Sequence, residues 1–143
     1  MLRGTRLLLV LAALLAAPAA SADVRILASP GGQIGSFVRL FSLLRESGER
    51  VVIDGPCLSA CTLLLSTLPR NRICVTRKAV LGFHAAWSRD AFGRPTSEPE
   101  ATEVVLATYP PAVRRWIVQH GGLSGRVLLL QGRELAAMYP RCR

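Results

Sequence analysis

Two short apolar runs on either side of a helical pattern constrain the fold of this chain most strongly. Residues 24–27 and 51–53 are rich in valine, isoleucine and leucine, which is typical of short buried strands. Between them, residues 34–44 repeat apolar side chains with a helical period, and Gly48 follows as a C-terminal cap. The order strand, helix, strand predicts a βαβ unit. We therefore expect an α/β fold with a parallel sheet flanked by helices.

The first 22 residues have the pattern of a signal peptide. Arg3 and Arg6 precede an apolar run, and small residues end the segment before Asp23. A retained membrane anchor is the alternative, but the apolar run is shorter than the roughly 20 residues that a spanning helix needs. We expect cleavage before Asp23, no stable membrane anchor afterwards, and an exported protein, periplasmic or secreted. Residues 23–143 would then form a single α/β domain.

The chain is basic, with a formal net charge of +9. Cleavage would remove two arginines and no acid, which lowers the charge by two, from +9 to +7. The positive residues are scattered, without a basic block or interleaved aromatic residues. This distribution favours solubility and loose attraction to anionic surfaces, and it argues against a nucleic-acid groove.

Four cysteines lie in the part that would be exported: Cys57, Cys61, Cys74 and Cys142. An even number in an oxidising compartment predicts two disulfides, with three possible connectivities. A metal site is the competing interpretation, but the cysteines do not form two close pairs, so we expect neither a metal nor a cofactor. Because the segments around Cys57 and Cys74 should lie close together, we expect Cys57 or Cys61 to pair with Cys74.

The residues suited to catalysis are a serine and a histidine further along the chain. Ser59 comes where a strand should give way to a helix, so its hydroxyl is placed to act as a nucleophile. His84 ends an extended segment and is the better base. His120 stands just before two glycines at a helix end, where a histidine usually contacts the last carbonyl groups. Two other roles remain open: Ser59 as a helix cap only, and Lys78 as the base.

Backbone amides for an oxyanion hole are available in two turns. Gly31 and Gly32 follow the first strand, and Ala60 follows the serine. In a parallel sheet, the turns after neighbouring strands lie side by side. We therefore expect one donor from the glycine turn and the other from Ala60.

These segments together resemble a known superfamily. Residues 29–32 (SPGG), 57–61 (CLSAC) and 81–84 (LGFH) resemble the Clp protease and crotonase superfamily, most closely an exported, Clp-protease-like branch with a C-x-S-A-C signature. The resemblance implies a nucleophilic serine at Ser59, a histidine base at His84 and an oxyanion donor in the glycine turn. It also implies a peptide or protein substrate and assembly into a homo-oligomer.

The chain departs from the family pattern in two places. Gln131 and Gly132 stand where the family has the acid that orients the histidine. Four acidic residues are candidates to replace it: Asp54, Glu100, Glu103 and Glu134. The family also has another strand and helix before the glycine turn, so we expect a truncated sheet with an edge that a partner or another copy would cover.

The remaining segments complete the predicted architecture. We expect a helix from Ser59 to residue 67, an exposed loop over residues 87–100, helices over 100–108, 112–120 and 124–130, and a small terminal helix over 133–138. On all these grounds the sequence favours an exported serine hydrolase, acting as a peptidase. The alternative is an inactive Clp-protease-like module that binds a peptide or partner.

Overall fold

The computed structural model describes residues 22–143, so the predicted signal peptide, apart from Ala22, lies outside the described residues. Strands are β1 (Asp23–Ile26), β2 (Arg50–Ile53), β3 (Pro56–Leu58), β4 (Ile73–Val75), β5 (Val80–Phe83), β6 (Trp87–Arg89), β7 (Pro95–Ser97) and β8 (Leu128–Gln131). Helices are α1 (Ile34–Ser47), α2 (Leu64–Thr67), α3 (Pro99–Thr108), α4 (Pro111–Gln119) and α5 (Gly132–Met138). Short 3-10 helices cover Ser59–Leu63 and Arg70–Arg72.

The predicted βαβ unit is present at the start of the described chain. β1 pairs with β2, and β2 pairs with β4, both in parallel. The side chains of Val51, Val52 and Ile53 are almost fully buried, as expected for a central parallel strand. Gly48 ends α1 in the left-handed conformation, with φ 79°, where a side chain would be strained. In the described part of the chain, β1 lies at the edge of this sheet.

A second, mixed sheet carries the turns that follow β3 and β5. β3 and β5 pair in parallel, whereas β5 and β8 pair antiparallel. The helix predicted over residues 124–130 is therefore wrong: residues 124–126 are bends and residues 128–130 belong to β8. Leu128 and Leu130 are buried while Leu129 is half exposed, which is the alternation of a strand. A run of consecutive leucines does not reveal this period, so only the pairing with β5 decides it.

The segment predicted as an exposed loop contains a hairpin. β6 and β7 pair antiparallel and all their residues are exposed. Asp90 accepts hydrogen bonds from the amides of Phe92 and Arg94 and forms an ion pair with the Arg94 side chain. Exposure was predicted correctly; the strand pairing was not. The helices predicted over 100–108, 112–120 and 133–138 are present as α3, α4 and α5, with ends shifted by a residue or so.

A hydrophobic cluster joins the two sheets, the segment after Ser59 and the helices packed on them. Phe83 is central, since its ring contacts Tyr109 at a centroid distance of 5.2 Å and Trp116 at 6.1 Å. Ile117 on α4 and Leu135 on α5 are also buried in this cluster. Among residues 22–143, no helix has both the length and the apolar character needed to cross a bilayer.

The four cysteines form two disulfides, but not with the expected partners. Cys57 is bonded to Cys61, and Cys74 is bonded to Cys142, so the predicted link from Cys57 or Cys61 to Cys74 is wrong. Cys57 and Cys61 lie within a single tight turn, where the chain itself brings them together. Cys74 meets Cys142 because the end of the chain runs beside β4, with the Cys142 amide donating to the Val75 carbonyl at 3.1 Å.

Candidate active site

Ser59 has an unusual backbone conformation at the point where β3 ends and a 3-10 helix begins. Its φ is 55°, and within residues 22–143 it is the one non-glycine residue in the positive φ region. For a residue with a side chain this region costs about 1–2 kcal/mol. The N-cap of this 3-10 helix is Leu58 and Ser59 is its first residue, so a role as helix cap does not explain the serine. Backbone strain held by its surroundings is characteristic of functional positions.

A buried pair of hydroxyl groups holds the Ser59 backbone. The Thr62 hydroxyl donates to the Ser59 carbonyl at 2.7 Å, and its oxygen lies 2.6 Å from the Tyr109 hydroxyl. Thr62 has a single hydroxyl proton and a carbonyl only accepts, so the Tyr109 hydroxyl must donate to Thr62. Two hydrogen bonds therefore connect Tyr109, at the end of α3, through the Thr62 hydroxyl to the Ser59 carbonyl.

The turn after β1 lies directly against the turn at Ser59, as predicted. The Ser29 amide donates to the Pro56 carbonyl at 2.8 Å, and the Leu58 amide donates to the Ser29 carbonyl at 2.9 Å. A side-chain carbon at Gly31 would lie 2.5 Å from the Ser59 Cβ and 3.0 Å from the Ala60 amide nitrogen. Only a residue without a side chain fits here, and Gly31 has a φ of 86° in addition.

Two of the three predicted oxyanion amides remain available for a ligand. The Gly31 amide donates to the hydroxyl of Ser29 at 3.3 Å, so it is used within its own turn. The Ala60 amide belongs to the first turn of a helix, where amides have no intrahelical acceptor. Gly32 follows the glycine that touches Ser59 and Ala60. Gly32 and Ala60 are therefore the candidate donors, and Gly31 permits the close approach of the two turns.

His84 follows β5 and faces the same pocket as Ser59. Both line a small cavity with Ala60, Ala85 and Tyr109 among its walls. The His84 Nδ1 lies 2.7 Å from the Ala85 carbonyl oxygen. Because a carbonyl can only accept, Nδ1 carries the proton of the neutral ring and Nε2 keeps its lone pair. This is the tautomer that a general base for a serine requires.

No hydrogen bond joins the Ser59 hydroxyl to the His84 ring within the described part of the chain; the ring is bonded to Ala85 instead. The two groups share a pocket but are not in a proton-transfer contact. Such contacts are often loose without substrate and tighten when it binds.

None of the candidate acids replaces the missing triad member. Asp54 accepts from Thr76 at 2.8 Å and from Arg25 at 2.9 Å, and these two contacts, Thr76 first, lower the pKa of its carboxyl. Glu134 accepts from the Trp116 indole at 3.1 Å. Glu100 and Glu103 are exposed on α3. Among residues 22–143, no carboxylate forms a hydrogen bond or ion pair with His84, and the Ala85 carbonyl orients the ring.

His120 has the structural role predicted for it. Its Nδ1 donates to the Trp116 carbonyl at 2.7 Å at the end of α4, and its ring stacks on the Trp116 indole at a centroid distance of 4.1 Å. Its Nε2 lies 3.9 Å from Glu134. The cluster joins α4 to α5 and leaves His120 out of the pocket of Ser59. Lys78 is exposed and does not line that pocket either.

Sequence reasoning missed Thr62 and Tyr109 as supports of the site. Thr62 stands three residues after Ser59, a spacing at which a hydroxyl in a helix reaches back to a backbone carbonyl. That signal was present in the sequence. Tyr109 lies 50 positions after Ser59, and no local pattern links the two residues. The contact between Tyr109 and Thr62 is therefore visible only in the folded structure.

Burial of the two tyrosines predicts a loss of stability in alkali. Burial raises the pKa of Tyr109 to about 12, against an opposing hydrogen bond with Thr62, and burial raises the pKa of Tyr139 to about 12. Both pKa values lie above the value of 10.0 for a tyrosine in the unfolded chain. The neutral, buried side chains therefore contribute their full stabilisation below about pH 10, and this stabilisation is lost as the pH rises from 10 towards 12. By about pH 11.5 we expect each tyrosine to lower the free energy of unfolding by about 2 kcal/mol.

Urea unfolding at about pH 9 and pH 11.5 measures this loss. Tyr109→Phe and Tyr139→Phe should each remove about half of the pH dependence, and the double variant nearly all of it, because the chain has two tyrosines. An unchanged pH dependence in the double variant would show that other groups destabilise the protein in alkali.

Comparison with known proteins gives a distant structural match. No protein-family model matches the sequence, and no curated protein matches it significantly. Matches among solved structures include a mutant form of ClpP1 from Listeria monocytogenes. The two chains are 14% identical, the match covers 82% of this chain and 87% of that one, and the TM-score is 0.40. At these values no residue role is taken from the comparison, and the roles above rest on this chain's own geometry.

Proposed function

We propose that this protein is an exported serine hydrolase that acts on peptides or proteins, with Ser59 as nucleophile and His84 as general base. The observation that carries the proposal is the placement of a strained serine and a histidine in one pocket. The hydrogen bond to the Ala85 carbonyl holds the proton of His84 on Nδ1 and leaves Nε2 free to accept the serine proton. The amides of Gly32, in the turn that contacts Ser59 through Gly31, and of Ala60, the residue after Ser59, would supply the third requirement, donors for a developing oxyanion.

The proposed reaction follows the chemistry of acyl transfer. The Ser59 oxygen forms a bond to the substrate carbonyl carbon while its proton passes to His84 Nε2, and the carbonyl electron pair moves onto oxygen beside the Gly32 and Ala60 amides. The intermediate then expels the leaving amine or alcohol, which takes the proton from Nε2. A water molecule repeats both steps on the acyl-enzyme and releases the carboxylic acid and free Ser59.

The histidine would work without a carboxylate partner. The Ala85 carbonyl fixes the tautomer, but a neutral acceptor stabilises the imidazolium less than a carboxylate does. Loss of the acid in a Ser-His-Asp triad lowers kcat by about 10⁴. We therefore expect a slow hydrolase, with turnover well below that of a triad enzyme.

Export is part of the same proposal. All four cysteines are paired in disulfides, and such bonds form and persist mainly in oxidising compartments. The signal-peptide pattern before Asp23 supports the same location. Secretion of a tagged full-length chain, followed by N-terminal sequencing of the exported product, tests the cleavage site.

A fluorophosphonate probe tests the catalytic proposal, because it reacts covalently with activated serines. We expect labelling of the wild-type protein at Ser59, identified by peptide mapping, and no labelling of Ser59→Ala. His84→Ala should label at least about a hundredfold more slowly, since the base is lost. Ser66→Ala removes a serine outside the pocket and should label as the wild type does. Labelling that persists in Ser59→Ala, or that never occurs, would overturn the proposal.

A binding module is the second candidate, and two observations favour it. Within residues 22–143, no carboxylate orients His84, and no hydrogen bond joins His84 to Ser59. Such a module would bind a peptide with equal affinity in the wild type and in Ser59→Ala, and it would release no product. A hydrolase would release product in the wild type alone.

A further inference from the structure

Two spaces of very different size meet at His84. The pocket that contains Ser59 and Ala60 has a cavity volume of about 30 Å³. A groove that His84 also lines runs along the β6–β7 hairpin and has a volume of about 530 Å³. His84, Ala85 and Ala86 line both spaces, whereas Ser59 lines only the small one. A substrate that reacts at Ser59 would therefore occupy two spaces of very different volume.

The small pocket is apolar as well as narrow. Its walls include the aliphatic side chains of Ile34, Leu63 and Val105, and no charged side chain lines it. The Tyr109 hydroxyl is already engaged with Thr62. Measured in the same way, the pocket offers about 30 Å³ and the groove about 530 Å³. Neither a charged group nor a large side chain has a partner or space there.

We infer that the small pocket receives the side chain on the acyl side of the cleaved bond and selects substrates whose acyl residue carries a methyl-sized group, such as alanine or glycine. This inference rests on the proposed function of Ser59. The attacked carbonyl carbon must sit at Ser59 with its oxygen towards Ala60, and both residues belong to the small pocket. The acyl side chain is attached one bond from that carbon, so it enters the same space.

The leaving group takes the larger space. It receives its proton from His84, which lines the large groove, and it must depart into open space. The groove along β6 and β7 is formed by exposed residues, including Trp87 and Arg89. The part of the substrate beyond the cleaved bond can therefore be long, while the residue before the bond must be small.

Three activated esters test this selection: the p-nitrophenyl esters of N-acetyl-alanine, N-acetyl-leucine and N-acetyl-phenylalanine, each assayed with the wild type and Ser59→Ala. We expect kcat/KM for the alanine ester to exceed that for the leucine ester at least about tenfold, because a filled pocket rejects extra methylene groups. The phenylalanine ester should be hydrolysed more slowly still. The leaving group is the same in all three, so the difference reports on the acyl side alone.

Enlarging the pocket should reduce the preference for the alanine ester. Val105→Ala removes two methyl groups from a wall that is only partly buried, and it should raise kcat/KM for the leucine ester about tenfold relative to that for the alanine ester. Val104→Ala is the matched control, since Val104 is the neighbouring residue on α3 and is 65% exposed. Ile34→Ala opens another wall at the start of α1, in case Val105→Ala folds poorly.

The outcomes separate the inference from the function on which it rests. Absence of Ser59-dependent hydrolysis of every ester would overturn the proposed function. Ser59-dependent hydrolysis with equal rates for alanine, leucine and phenylalanine esters would overturn the inference and leave the hydrolase intact. Equal effects of Val105→Ala and Val104→Ala would also overturn it, because the pocket wall would then not set the preference.

Discussion

Replacing Gly31 with alanine is expected to lower the free energy of unfolding by about 3 kcal/mol or more and to abolish labelling at Ser59. The new Cβ would lie 2.5 Å from the Ser59 Cβ and 2.6 Å from the Leu58 carbonyl oxygen. The φ of 86° at this position adds strain for any residue with a side chain. Urea unfolding and fluorophosphonate labelling of the same preparation measure both effects.

Gly93→Ala is the matched control. Gly93 has a φ of 78°, close to that of Gly31, but nothing lies within 4 Å of a Cβ built there. Its substitution should therefore cost only the backbone strain, about 1 kcal/mol, and should leave labelling unchanged. If Gly31→Ala were no worse than Gly93→Ala, the two turns at the site would not be in the close contact described here.

The contact between these turns explains how a serine can be held in a strained conformation. β1 and β3 deliver the two turns to the same place, and the Ser29 and Leu58 backbones are hydrogen bonded to each other. The Thr62 hydroxyl then fixes the Ser59 carbonyl from the other side of the turn. Strain at Ser59 is retained because several contacts determine its conformation together. The site therefore depends on tertiary contacts more than on the propensity of any one segment.

Much of this site was predictable from the sequence, because its main parts follow strands. Apolar runs identified β1, β2 and the extended segment before His84, but not β3. The turns after β1 and β3 lie side by side, although these strands belong to different sheets and meet through a parallel bridge between Ser29 and Cys57. Gly31, Ser59 and Ala60 were brought together as predicted, and His84 shares the Ser59 pocket. Two features were beyond such reasoning. The Ala85 carbonyl is the partner of His84, and since every residue has a carbonyl oxygen, no residue type in the sequence marks it. Tyr109 contacts Thr62 although 47 positions separate them, and no local pattern shows this.

The errors in the fold prediction have a common cause. β8 was predicted as helix and β6 and β7 as loop, and in each case the local sequence suits more than one structure. Leucine runs such as that in β8 fit a buried helix as well as a strand. The polar residues of the hairpin are all exposed, so burial leaves no alternating pattern there. Pairing with a distant or neighbouring segment decides such cases, and a single sequence does not display it.

Removal of the disulfide between Cys74 and Cys142 is expected to lower the free energy of unfolding about twice as much as removal of the one between Cys57 and Cys61. The two bonds close loops with sequence separations of 68 and 4 residues. Chain entropy alone then gives about 4 kcal/mol for the long loop and about 2 kcal/mol for the short one. Urea unfolding of the double variants Cys74→Ala/Cys142→Ala and Cys57→Ala/Cys61→Ala measures the difference. Cys57, Cys61 and Cys74 are buried and Cys142 is partly exposed, so cavity formation does not favour the long-range pair as the costlier one to remove.

Labelling should show the opposite order. Cys57 and Cys61 flank Ser59 in one turn, so their bond limits the motion of the proposed nucleophile, and misplacement by about 1 Å can cost about a hundredfold in rate. The variant without this bond should stay folded in the absence of denaturant but label slowly, whereas the variant without the long-range bond, while folded, should label at the wild-type rate. Equal labelling per folded molecule in the two variants would mean that Thr62 and Gly31 hold the serine without help from the disulfide, and that the short bond contributes to stability alone.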